Sequence, residues 1–243
     1  MRDQPFHRWP LWPLVILWMA GSDGGRAFLP RRTSRRTFQL HATARDYVQQ
    51  GMQAFRRGNV SESIRLFDAA EQAEPRYDPY LWQRGLSYYY ANRFDLASAQ
   101  FRRDVRVNPL DVEEIVWDTA SRLRAIKNNN NIVLPLPDSL SLPPNQTDRR
   151  PIMGVVDRLF RGQATEQELR LVPQRTQSAA DEFYALFYLG LFSETALRDS
   201  TKAENYLKQA VHTPYATTGA GRGDYMTDVA RVSGPCKRRG RML

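Results

Sequence analysis

Residues 44–75, ARDYVQQGMQAFRRGNVSESIRLFDAAEQAEP, and residues 78–109, DPYLWQRGLSYYYANRFDLASAQFRRDVRVNP, are one unit written twice. Gly51, Phe67 and Pro75 recur as Gly85, Phe101 and Pro109, each pair 34 residues apart. A fixed period of that length belongs to arrays of helix–turn–helix units, each burying its apolar face on the next. Tyr47, Met52, Ala54 and Phe55 give the first helix, 46–57, its apolar side; Gly58-Asn59 is a turn. Ile64, Phe67, Ala70 and Ala73 recur at three-residue steps along the second helix, with Ser61 as its N-cap and Pro75 as its stop. Leu81, Trp82, Leu86 and Tyr88, then Asn92, then Ala97 and Phe101 repeat the plan. Gly51 and Gly85 sit mid-helix, where glycine costs about 1 kcal/mol against alanine. Close approach of the second helix, at Ser63 or Ala97, is the expected compensation, with Phe67 and Phe101 filling the space between units.

Leu81, Gly85, Tyr88, Asn92, Ala97, Phe101 and Pro109 resemble the pattern of the tetratricopeptide (TPR) family, and Tyr47, Gly51, Gly58, Phe67, Ala70 and Pro75 resemble it in the first copy. Ala54 and Ser63 depart from it. Gly190, Tyr206 and Pro214 keep the spacings of 16 and 24 residues and suggest a diverged third copy. The resemblance implies an all-α α-α superhelix, a TPR solenoid with short irregular additional helices, which is a platform rather than a statement of function.

The chain has 243 residues and a formal charge of +9. Residues 1–41 carry +5 of it and the remaining residues +4, with five positive charges from Arg231 to Arg241 alone. The repeat body is therefore near neutral and does not argue for nucleic acid. Cys236 is the single cysteine, so neither an intrachain disulfide nor a cysteine metal cluster can form.

The first 43 residues read as an address. Arg2 and Arg8 precede an apolar run, 11–20, too short for a comfortable bilayer span of about 20 residues but suited to a secretory signal. Gly25-Arg26-Ala27 offers small residues for cleavage; Arg31 to Thr37 is arginine-rich, hydroxyl-bearing and free of acids. With Ala27-Phe28-Leu29-Pro30 at the junction, the segment resembles the bipartite plastid presequence of algae with secondary red plastids. That resemblance implies a signal peptide over 1–27, a transit peptide over 28–43 and a mature chain resident in a plastid. An ordinary secretory signal or an uncleaved anchor, making an endomembrane protein, is the plainer alternative.

Beyond 44–127, which holds the two repeats and a third helix opened by Asp111-Val112-Glu113-Glu114, the sequence predicts a Pro/Asn-rich linker over 128–150, helices with the diverged repeat over 151–232, and a basic tail over 233–243. The acids at 113 and 114 suit the positive end of a helix dipole, and the helix, with Trp117 to one side, is expected to cap the repeats. Thr165-Glu166-Gln167-Glu168 is a capping box for a helix that Pro173 should stop. A final helix is expected near 225–232. Trp117, the segment Phe160 to Thr165, Phe183, Tyr188-Leu189-Gly190 and Ala210 together resemble the NlpI-like family of bacterial TPR lipoproteins and its cyanobacterial and plastid relatives, which implies a non-enzymatic adaptor. There is no lipidation cysteine, so membrane attachment does not follow.

Chemistry is sparse. His7 and His41 lie in or beside the presequence, and His212 stands at a helix end as a dipole partner. No nucleophile–base set and no metal-ligand spacing is present, which predicts no enzyme, no cofactor and no metal. Gly219-Ala220-Gly221-Arg222-Gly223 lacks the strand and Gly-Lys-Ser/Thr of a phosphate loop. The positions that line the inner face of TPR arrays are here Val48, Met52, Phe55, Trp82, Leu86, Tyr89 and Tyr90, continued by Trp117. Such an aromatic strip suits a partner peptide or helix with Trp and Tyr as anchors, unless these side chains pack against the C-terminal half instead. The expected partner is a protein. Nucleic acid is disfavoured, although a helical-repeat RNA-binding protein using Arg102-Arg103 and the tail is the rival reading, and no stable membrane span is expected in the mature chain.

Overall fold

The computed structural model describes residues 42–127, 132–218 and 220–233. The readings of the signal and transit segments up to residue 41, of the asparagines at 128–131, of the basic tail and of Cys236 lie outside them. Among the described residues there is no strand, and consecutive helices pack in pairs as an all-α superhelix.

Helix α1 (Ala44–Arg56) packs along α2 (Val60–Ala73). A short 3-10 helix, Pro75–Tyr80, leads into α3 (Trp82–Tyr90), which pairs with α4 (Phe94–Val107). Both turns need a left-handed residue, supplied by Gly58 (φ 76°) and Asn92 (φ 58°). The mid-helix glycines are explained by close approach. A Cβ on Gly51 would lie 3.1 Å from the Phe67 ring, and one on Gly85 only 2.8 Å from the Phe101 ring. The phenylalanine ring of each second helix thus packs directly against the glycine of the first. Ser63 links the two units, donating from Oγ to Gly51 O at 2.9 Å and lying 2.9 Å from Ser87 Oγ.

The array continues through α5 (Val112–Ala125), α6 (Pro151–Phe160), α7 (Glu166–Thr176), α8 (Ala179–Thr195), α9 (Ser200–Val211), the single turn α10 (Pro214–Thr217) and α11 (Tyr225–Ser233). One core runs from Phe55 to Val232 through all of these. A smaller one joins Ala44, Val48, Phe67, Ala70 and Leu81 at the N-terminal end. Each fully buried phenylalanine contributes about 1.5–3 kcal/mol, and Phe55, Phe67, Phe101, Phe183 and Phe187 are all fully buried.

Several sequence expectations are corrected. Helix α1 starts earlier, at a capping box between Thr43 and Asp46, and α2 starts at Val60, so Ser61 lies inside it and caps nothing. Helix α5 is not a terminal cap: it lies between α4 on one side and α6 and α8 on the other, and nearly every residue of it is buried. Its Glu113 and Glu114 stand in the first turn as expected but are buried, and Asp111 caps the helix, accepting from Glu113 N at 3.0 Å. Helix α7 runs through Pro173 to Thr176, although proline there removes one hydrogen bond of the ladder. The third glycine contact is displaced by one residue: Gly190 faces Leu207, whose Cγ would be 2.8 Å from a Cβ, rather than Tyr206.

The described part of the 128–150 segment is not a free linker. Arg102 donates to Asp138 O at 2.8 Å, Arg122 to Pro137 O and Arg161 to Leu140 O at 2.9 Å, while Leu136 is buried. At its end Arg150 reaches Glu113 Oε2 at 2.9 Å, Asp148 Oδ2 at 2.8 Å and Asp111 Oδ1 at 3.3 Å. It is a strap clamped across α4, α5 and α6.

Candidate interaction face

The eight residues assigned to the inner face do come together, but they face inward. Val48, Phe55, Leu86, Tyr89 and Trp117 are each 2% exposed or less; Met52, Trp82 and Tyr90 are partly buried against the main core. Val48 belongs to the smaller N-terminal cluster. The aromatic members form a run of ring contacts. Phe55 meets Tyr90 edge-on at 5.5 Å, Tyr90 meets Tyr89 at 5.3 Å, and Tyr89 meets Trp117 at 5.1 Å. Trp117 then stacks on Phe101 at 6.2 Å and reaches Phe187 of α8 at 6.1 Å. Offset and edge-on ring pairs of this kind add about 0.5–1.5 kcal/mol each beyond area.

What covers the α1/α3 end of this strip is α11. The Tyr225 ring sits 5.7 Å from Phe55 and 5.6 Å, edge-on, from Trp82. The Arg56 guanidinium lies 5.3 Å above the same ring, and its Nε donates to Asp228 Oδ2 at 2.7 Å. At the other end of α11, Tyr90 Oη pairs with Ser233 Oγ. Met226, Val229, Ala230 and Val232 complete the buried side of the helix. The Tyr225 hydroxyl is enclosed without a hydrogen-bond partner, and burial pushes its pKa up.

The start of α11 is fixed from the opposite direction. Asp224 Oδ2 accepts from Tyr184 Oη at 2.7 Å and Tyr215 Oη at 2.8 Å, and Oδ1 accepts from Met226 N at 2.9 Å. Thr227 Oγ1 closes the turn on Gly221 O at 3.0 Å. Sequence reasoning missed Arg56, Asp224 and Asp228, because the decisive pair spans 172 residues and no local period marks it.

A second polar constellation lies at the N-terminus of α5. Glu113 accepts from Tyr188 Oη and pairs with Arg150; burial still pushes its carboxyl up to about 7, with Arg150 pulling the other way. Asp104 is pushed up to about 7 by burial and then by the nearby Asp111 charge. Glu114 is raised well above the usual carboxylate range by burial and then by Asp111 and Asp104, and its Oε2 has no hydrogen-bond partner. Among the described residues no group of three or more His, Cys, Asp or Glu side chains is arranged to hold a metal ion. His212 ends α9, with Nδ1 2.6 Å from Lys208 O. None of the described helices is long and apolar enough to cross a membrane.

The chain matches no protein-family model and no curated protein.

Proposed function

We propose that this protein is a non-enzymatic scaffold of the tetratricopeptide type that acts inside a plastid and binds a helix or peptide of a partner protein. The observation that carries the reading is the α1/α3 face, where Phe55, Trp82, Tyr90 and Arg56 hold an amphipathic helix through rings, a hydroxyl and one ion pair. That is the helix-in-groove mode of recognition, with aromatic anchors and a polar rim. The glycine–phenylalanine contacts of α1 with α2 and α3 with α4 support the tetratricopeptide assignment, and Ala27-Phe28-Leu29-Pro30 supports the plastid address.

Selection of binders from a library of helical peptides against the purified chain, followed by hydrogen exchange of the complexes, tests the binding role. Protection of α1 and α3 by selected peptides is the expected outcome, and selection that yields no binder refutes it. The address is tested by a fluorescent C-terminal fusion in an alga with secondary plastids. We expect plastid signal that a Phe28→Ala variant loses; endoplasmic reticulum or surface signal from both refutes the address.

A further inference from the structure

We infer that α11 is a resident occupant of a receptor face, and that the external ligand of this face is an amphipathic helix presenting an aromatic residue, a carboxylate three positions later and small or β-branched residues behind them. The inference rests on the scaffold reading and specifies its partner. The pattern is read directly from the seat: Tyr225 fills the gap between Phe55 and Trp82, Asp228 meets Arg56, and Val229, Ala230 and Val232 are buried behind them. Residues 225 and 228 lie on one side of a helix, so a single helical face supplies both.

Two features make α11 replaceable. The first is the enclosed Tyr225 hydroxyl with no hydrogen-bond partner, which makes the seat worse than it could be. A partner with phenylalanine at that position fills the same space without stranding a polar atom. The second is the position of the ion pair. Although Asp224 and Thr227 fix the start of α11, its ion pair with α1 is at the rim, where the Arg56 side chain is 39% exposed. Arg56 therefore remains accessible to an incoming carboxylate while the resident helix is still in place.

The experiment uses the full chain and a fluorescent peptide of residues 222–233, in its own sequence and with Tyr225→Phe. The chain is tested as wild type, with Asp228→Arg to unseat its own helix, and with Arg56→Asp. We expect the peptide to bind the Asp228→Arg chain at least tenfold tighter than wild type, and the Tyr225→Phe peptide to bind tighter still. The Arg56→Asp chain should reject both peptides and accept one carrying Asp228→Arg. Hydrogen exchange of the unmodified chain provides a second reading that no substitution can disturb: α11 should open well before α3 and α4. Absence of peptide binding to the Asp228→Arg chain, binding indifferent to the Arg56→Asp change, or α11 exchange only with global unfolding each overturns the inference. In those cases a scaffold that recruits partners through another face still stands. Peptide binding at this face with no library binder at all would instead count against the scaffold reading.

Discussion

Replacement of Gly85 by alanine probes the contact that sets the distance between α3 and α4. The added Cβ would lie 2.8 Å from both Cε1 and Cζ of Phe101. Real Cβ contacts do not come that close, so something must shift. Phe101 is the far end of a side chain, but it has nowhere to go: it is fully buried and stacked against Trp117, which is itself held by Tyr89 and Phe187. Overpacking of a filled core costs about 1–3 kcal/mol. Alanine in place of glycine in a helix interior returns about 1 kcal/mol. The expected net loss is roughly 0–2 kcal/mol, a fall of up to about 8 °C in melting temperature for a domain of this size. Gly154→Ala is the control, because its Cβ would meet nothing within 4 Å and only the helix gain remains, about 0.5–1 kcal/mol of stabilisation. Urea unfolding of the two variants beside wild type measures both, with a shift of midpoint at unchanged slope marking a change in stability. A Gly85→Ala protein as stable as the Gly154→Ala protein would refute the claim that ring-on-glycine contact fixes this pair.

Arg84→Ala should be more damaging: it strands Asp78, Glu71, Asp68 and Gln100 around an interior guanidinium, for about 2–4 kcal/mol, moderated because Asp68 and Glu71 are about 40% exposed and can recover water; chemical denaturation measures it. Thr43→Ala removes the capping box of α1, and a loss of about 1 kcal/mol is expected in the same assay. Stability should fall as pH rises from about 5 to 7. Asp104 and Glu113 still bind protons there in the folded chain while the unfolded chain has released them, so the native state holds more protons and each group loses about 1.4 kcal/mol per pH unit at most. Glu114, raised further still by burial, adds to the same fall, so Asp104→Asn together with Glu113→Gln should lessen the slope without removing it, as read by melting temperature against pH.

The parts of the fold that were legible in the sequence are those set by local spacing. A glycine and a phenylalanine 16 residues apart are one turned-back helix pair, and both ends of the contact sit in one unit. The same spacing misled at Gly190, where the contact moved one residue on to Leu207, because apolar side chains stand at both 206 and 207 and spacing cannot choose between them. Glu113 and Glu114 were legible as acids at the start of a helix but not as buried groups, since nothing nearby announces that Arg150, 37 residues on, reaches Glu113 or that Tyr188 of α8 donates to it. The inner-face aromatics were identified as a set, and the alternative that they pack within the chain was visible too. Deciding between the two needed Tyr225 and Asp228, whose positions depend on the path of every helix in between.

The strap over 132–150 has a consequence for how this chain can vary. Arg102, Arg122 and Arg161 hold it by its carbonyl oxygens. A carbonyl is the one acceptor common to all residue types, so no substitution at 137, 138 or 140 removes it. The grip is written in the helices, not in the strap. Side chains at 137 and 140 can therefore vary without loosening the grip, whereas buried Leu136, the left-handed backbone at Asp138 and the three arginines cannot change so freely.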